Sequence, residues 1–142
     1  MNNKVRLWWT VCLLGVLLCV PPVLADKGAE EKALSASKVW LGLVDRAQYS
    51  ESWDKAAAYF RSAVTKEQWE QALQGVRKPL GRVIRRQLKS TQYTTRLPGA
   101  PDGEYLIIQY DTSFENKRSS VETVTPMRDT DGRWRVSGYY IR

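Results

Sequence analysis

Residues 98–142 carry three runs rich in β-branched and aromatic side chains, at 104–114, 119–127 and 133–142. Between them lie Glu115-Asn116-Lys117-Arg118 and Asp129-Thr130-Asp131-Gly132. Extended runs punctuated by Asp, Asn and Gly predict an antiparallel meander, with Gly132 accepting the positive φ that a hairpin turn needs. Side chains alternate across a strand, so Leu106, Ile108, Tyr110, Thr112 and Phe114 form one face of the first run. That face is the more apolar and needs a covering layer. In the second run Val121, Thr123, Thr125 and Met127 oppose Glu122 and Val124. In the third, Trp134, Val136, Gly138 and Tyr140 are expected opposite Arg133, Arg135, Ser137, Tyr139 and Ile141.

The cover comes from the preceding residues. Ala33, Ala36, Val39, Trp40, Leu43, Val44 and Ala47 recur at three- and four-residue spacings, which predicts a helix from about Glu30 to Gln48-Tyr49. A second helix, capped by Ser50 or Ser52, buries Trp53, Ala56, Ala57, Phe60 and Val64. Thr65 followed by Gln68 has the spacing of a capping box and opens a third helix, with Trp69, Ala72, Leu73 and Val76 facing in. Pro79 and Gly81 end it. Residues 82–97 then read as a first, long and irregular strand, bulged where Arg85-Arg86 interrupts the alternation. The expected class is therefore α+β: three helices, each with one tryptophan, on a curved four-stranded antiparallel sheet. Trp40, Trp53 and Trp69 serve either as core or as the lining of an aromatic pocket.

Residues 1–25 read as a signal peptide preceding a single domain at 26–142. Lys4 and Arg6 precede a run that is apolar from Leu7 to Val20 apart from Thr10 and Gly15, and Val23-Leu24-Ala25 offers a cleavage site. That run is short for a membrane span, which takes about 20 residues, and neither Cys12 nor Cys19 follows a small residue as a lipoprotein signal would require. An uncleaved anchor is the competing reading. Both cysteines lie in this segment, so the remainder has no disulfide and must rest on its core. Without Lys4 and Arg6, 20 basic residues face 15 acidic ones, an excess that favours anionic surfaces without specifying nucleic acid. The expected location is periplasmic or secreted.

Several stretches carry a resemblance. They are Trp40-Leu41-Gly42-Leu43-Val44-Asp45 with Tyr49 and Ser52-Trp53; Phe60-Arg61; Trp69; Arg77-Lys78-Pro79-Leu80-Gly81; Leu97-Pro98-Gly99-Ala100-Pro101-Asp102-Gly103-Glu104-Tyr105; Phe114; Glu122-Thr123-Val124-Thr125; and the run from Asp131 to Arg142. With the order of helices and strands, they resemble a family of uncharacterised exported bacterial domains, within the broad group of nuclear-transport-factor-like, or cystatin-like, α+β cones. The resemblance implies a cone fold and export, and it carries no assigned reaction.

The chain has no histidine, which removes the commonest general base and metal ligand. Thiol chemistry leaves with the N-terminal cysteines. No catalytic residue, metal ligand or cofactor is assigned. The remaining acid–base candidates on ordered elements are Asp45, Asp54, Asp111 and Glu122. By analogy with enzymes on similar cones, Asp111 or Glu122 could pair with Tyr105 or Tyr110 in a cavity, where burial raises an acid's pKa. The strongest charge feature is the run Arg77, Lys78, Arg82, Arg85, Arg86 and Lys89, with no acid among them. It either receives an anion through forked guanidinium donors or forms a solvated edge that discourages aggregation. A third reading pairs Glu122 or Asp111 with Arg82 or Arg86 across the sheet. The loop at 98–103, with two Pro and two Gly, is a rigid connection or a binding edge.

These features point to an exported, non-catalytic binding or assembly module. Arg77, Arg82, Arg85, Arg86 and Lys89 are its candidate contact residues, and Tyr105, Tyr110, Asp111 and Glu122 its candidate cavity residues. The expected partner is a protein or an anionic ligand, with no nucleic acid, peripheral membrane contact and a homodimer through the sheet as a further association. The rivals are a small-molecule enzyme using a carboxylate and a tyrosine, and an envelope-associated protein that binds anionic lipid.

Overall fold

The computed structural model describes residues 26–142; the expected signal peptide lies outside the described residues. Four helices precede four strands: α1 (Lys27–Asp45), α2 (Tyr49–Asp54), α3 (Ala58–Ala63), α4 (Lys66–Leu80), β1 (Val83–Thr94), β2 (Tyr105–Phe114), β3 (Lys117–Arg128) and β4 (Trp134–Ile141). The strands form one antiparallel sheet in the order β1-β2-β3-β4, so the chain is an α+β fold.

The expectation of three helices needs correction, because the second is divided at residues 55–57. No Gly or Pro marks that break, which is made by tertiary bonds. The Ala57 N–H donates to the Val136 carbonyl at 2.8 Å, and the Ala58 N–H to Asp129 Oδ2 at 3.1 Å. Both donors are thereby lost to a continuous helix and tied to the sheet. The capping box does form: Gln68 N–H donates to Thr65 Oγ1 at 3.2 Å and Thr65 N–H to Gln68 Oε1 at 3.0 Å. Helix α4 runs through Pro79 and ends at Gly81, whose φ is +74°. That backbone conformation favours glycine, and a Cβ there would in addition push the Glu115 side chain aside, at 2.6 Å from its Oε2.

Helix α1 closes with crossed bonds, Gln48 N–H to the Leu43 carbonyl and Ala47 N–H to that of Val44. Ala47 takes the left-handed conformation, φ +57°, that this closure demands. Asp45 is thereby fixed at the helix end. Trp40, Leu41, Val44, Phe60, Trp69 and Leu73 pack on Leu106, Ile108, Tyr110, Val124, Trp134 and Val136. The indole N–H groups of Trp40 and Trp69 both reach Ser52, on its carbonyl at 2.8 Å and its Oγ at 2.9 Å; that of Trp53 reaches the Val64 carbonyl at 2.7 Å. Buried indoles with satisfied donors are core elements, and Trp53 is the half-buried member of the three. No described helix is long and apolar enough to cross a membrane.

The apolar face of β2 points to the helices as its alternation predicts. The expected parity of β4 holds only for its first half. Thr125 pairs with Gly138 but Pro126 pairs with Val136, which leaves one extra residue, Ser137, on β4. Pro126 has no N–H for a ladder bond, and a bulge accommodates it. Beyond the bulge the faces exchange: Tyr139 packs against the core while Tyr140 is 54% exposed.

Candidate functional site

Glu122 is the cross-strand partner of Tyr110 and so lies on the helix-facing side of the sheet. It is 0% exposed. Its Oε2 accepts from Arg86 Nε at 2.6 Å and from Thr112 Oγ1 at 2.6 Å; its Oε1 accepts from Tyr139 Oη at 2.6 Å and from Arg86 Nη2 at 3.1 Å. Arg86, opposite Thr112 in the β1–β2 register, reaches past Glu122 to the end of α1. There Nη1 donates to Asp45 Oδ2 at 2.7 Å and Nη2 to Oδ1 at 2.9 Å. Arg77 of α4 donates to the same Oδ1 at 3.0 Å and to the Tyr139 hydroxyl at 3.4 Å. Two carboxylates, two guanidinium groups, a phenol and a threonine thus close one ring that joins α1, α4 and all four strands.

Buried ion pairs hold only where hydrogen bonds satisfy the partners, and the ring meets that condition at Glu122 and Arg86. Burial alone would raise the Asp45 carboxyl, but hydrogen bonds and charge from Arg86, then Arg77, hold it below the usual range. Burial works against the Arg86 charge as well; the Asp45 and Glu122 carboxylates overcome it and keep the guanidinium firmly protonated. Burial and the Glu122 charge push the Tyr139 phenol far up, so it stays a donor. Arg77, 5% exposed, has no partner at Nε among the described residues, and its guanidinium lies 5.0 Å from the centre of the Phe114 ring. That contact offers partial compensation.

A carboxylate with both oxygens filled by donors and no exposed surface has no free lone pair for a substrate proton. The ring is thus a lock between layers. Of the expected cavity pairs only Glu122 and Tyr110 are cross-strand neighbours, and no hydrogen bond joins either carboxylate to either tyrosine among the described residues: Asp111 is exposed and takes a bond from Lys89 Nζ at 3.2 Å, the Tyr105 hydroxyl donates to the Pro101 carbonyl at 2.6 Å, and the Tyr110 hydroxyl meets Ser37 Oγ at 3.1 Å. Tyr105 is buried in a separate small cluster with Ala57 and Met127, against which Tyr59, Leu97 and Ala100 pack. Of the alternatives for Glu122, the cross-sheet pair with Arg86 is the one that forms.

The basic run is divided between interior and solvent, so its five candidate contact residues share no single surface. Arg77 and Arg86 are held in the ring; Arg82, Arg85 and Lys89 point out. Arg82, in the connection from α4 to β1, pairs with Glu115 of the β2–β3 turn. Arg85 bonds only the neighbouring Gln87 side chain, at 2.9 Å, among the described residues. Tyr139 escaped the sequence reading because the bulge reverses its face. Arg118 escaped because a turn, rather than the start of β3, was expected there.

The architecture is thus that of a small α+β domain whose helical layer is clamped to one sheet by an internal charge ring. A family model described as "Protein of unknown function (DUF4019)" matches residues 36–139, and the chain belongs to that family. The matched segment contains every member of the ring. Comparison with curated proteins and with solved structures found no match.

Proposed function

We propose that the chain is an exported, non-catalytic binding module on a cystatin-like cone, which takes an anionic ligand or an acidic protein surface through the outward cations of β1. The observation that supports this most is the contrast at consecutive positions: the ring consumes Arg86, whereas Arg85 projects to solvent with no carboxylate on it among the described residues. Lys89 and Arg82 flank it. Their bonds to Asp111 and Glu115 are solvent-exposed pairs, which contribute little and which an incoming anion can displace. Export to the periplasm or beyond rests on the charged start, apolar run and small-residue end within residues 1–25.

The test is retention on an immobilised anionic polymer, with salt elution separating electrostatic from other binding. The double variant Arg85→Glu with Lys89→Glu is expected to elute at clearly lower salt while keeping its circular dichroism spectrum. Unchanged retention of a folded variant refutes the reading.

A further inference from the structure

We infer that Arg85 and Arg118 form the walls of a discrete site for a phosphate-bearing ligand, on the floor provided by Ser113 and Ser119. This deepens the binding-module reading and rests on it. The register makes Arg85 the cross-strand partner of Ser113, and the tight β2–β3 hairpin returns Arg118 and Ser119 beside them. These four residues line one groove of about 380 Å³, within the range of small-ligand sites. Neither arginine forms an ion pair among the described residues, and neither serine hydroxyl has a side-chain hydrogen bond there. The one acid in the groove wall, Asp111, is engaged by Lys89.

The donor set decides the ligand class. Each guanidinium presents a planar fork of N–H groups that matches phosphate oxygens, and two hydroxyls add further donors. A carboxylate has two oxygens to offer such a set; a phosphate monoester has three strong acceptors and up to two negative charges. Ile84, 63% exposed on the same groove, supplies an apolar wall for whatever the phosphate is attached to. The phosphate can belong to a soluble ester or to a lipid headgroup, and the recognition chemistry is shared.

The test is titration of the ¹⁵N-labelled protein, purified from its native host, with inorganic phosphate. Saturable NMR shifts are expected at the Ser113 and Ser119 amides and at the Arg85 and Arg118 Nε–H groups. Arg118→Ala should weaken the apparent affinity about tenfold, the equivalent of one charge-assisted hydrogen bond of roughly 1.4 kcal/mol. Shifts that never saturate, or that spread evenly to Arg61 and Arg133, overturn the site. A second arm compares vesicles containing phosphatidylglycerol with vesicles of phosphatidylcholine alone. Co-sedimentation with the former that Arg118→Ala abolishes assigns the phosphate to a lipid; saturable phosphate binding without co-sedimentation assigns it to a soluble ester. Because Arg118 is on β3, its variant leaves the β1 cations intact. If Arg118→Ala changes nothing while the Arg85/Lys89 reversal still lowers polymer retention, the site fails and the broader reading stands; if neither responds, both fail.

Discussion

Arg85 and Arg86 are neighbours of the same residue type on one strand, and they meet opposite surroundings. Alternation sends Arg86 into the helix-facing side, where Glu122 and Asp45 fill its donors, and sends Arg85 to solvent, where a single glutamine touches it. A buried guanidinium needs a carboxylate within reach, since a charge left unpaired in the interior costs several kcal/mol. An exposed one is solvated whether or not it has a partner. The same chemical group therefore fastens the fold at one position and remains free to meet a ligand at the next.

The strongest way to break this comparison is to remove the acceptor at the centre of the ring. Glu122→Ala leaves Arg86 with Asp45 as its one remaining carboxylate and its Nε without an acceptor, and takes an acceptor from Tyr139 and Thr112. A loss of about 3–5 kcal/mol in unfolding free energy is expected by denaturant titration. A loss below about 1 kcal/mol would mean that water or rearrangement replaces the carboxylate, and the ring would no longer count as a clamp.

Much of this arrangement was legible in the chain. Strand order follows from the short polar turns between consecutive runs, the inward face of β2 from alternation, the start of α4 from Thr65 and Gln68, and the Arg86–Glu122 pair is among the pairings the sequence offers. Three features were hidden, and each depends on contacts distant in sequence. The break before α3 is made by Val136 and Asp129, which lie more than seventy residues downstream. Tyr139 enters the ring because Pro126, on the neighbouring strand, forces a bulge opposite it. Arg118 reaches the outer groove because the β2–β3 turn is tighter than its polar composition implies. Local patterns report which face a run prefers; they do not report where a partner strand shifts that preference.

A smaller effect sharpens the comparison through pH. Asp45 has a folded pKa below its unfolded one, so its stabilisation is complete above about pH 4 and is lost as pH falls through the lower folded value. Asp45→Asn should cost about 1.5–3 kcal/mol at neutral pH, as for hydrogen bonds between charged groups, and should flatten the acid limb. Glu115, Asp129 and Asp131 are depressed too and retain their share of that limb. Tyr139 has the opposite sign: its raised folded pKa favours the protonated phenol in the fold, so its contribution is full below about pH 10 and declines above it. Thermal unfolding of wild type and Asp45→Asn between pH 2.5 and 7 checks the acid side; Tyr139→Phe between pH 8 and 11 checks the other. If the Asp45→Asn profile runs parallel to wild type, Asp45 is not held by the two arginines.

The smallest expected change is the most discriminating. Arg85→Ala should move unfolding free energy by no more than about 0.5 kcal/mol, the usual range for a surface substitution away from special features. Arg86→Ala, one residue on, should approach the cost of Glu122→Ala, because it leaves a fully buried carboxylate with two fewer donors. The pair of variants therefore measures the division of labour directly, free of any assumption about the ligand. If Arg85→Ala also costs 2 kcal/mol or more, Arg85 is bound into the fold through contacts beyond Gln87. A structural residue of that kind would not be free to receive a partner, and the outer groove would lose one of its two arginines.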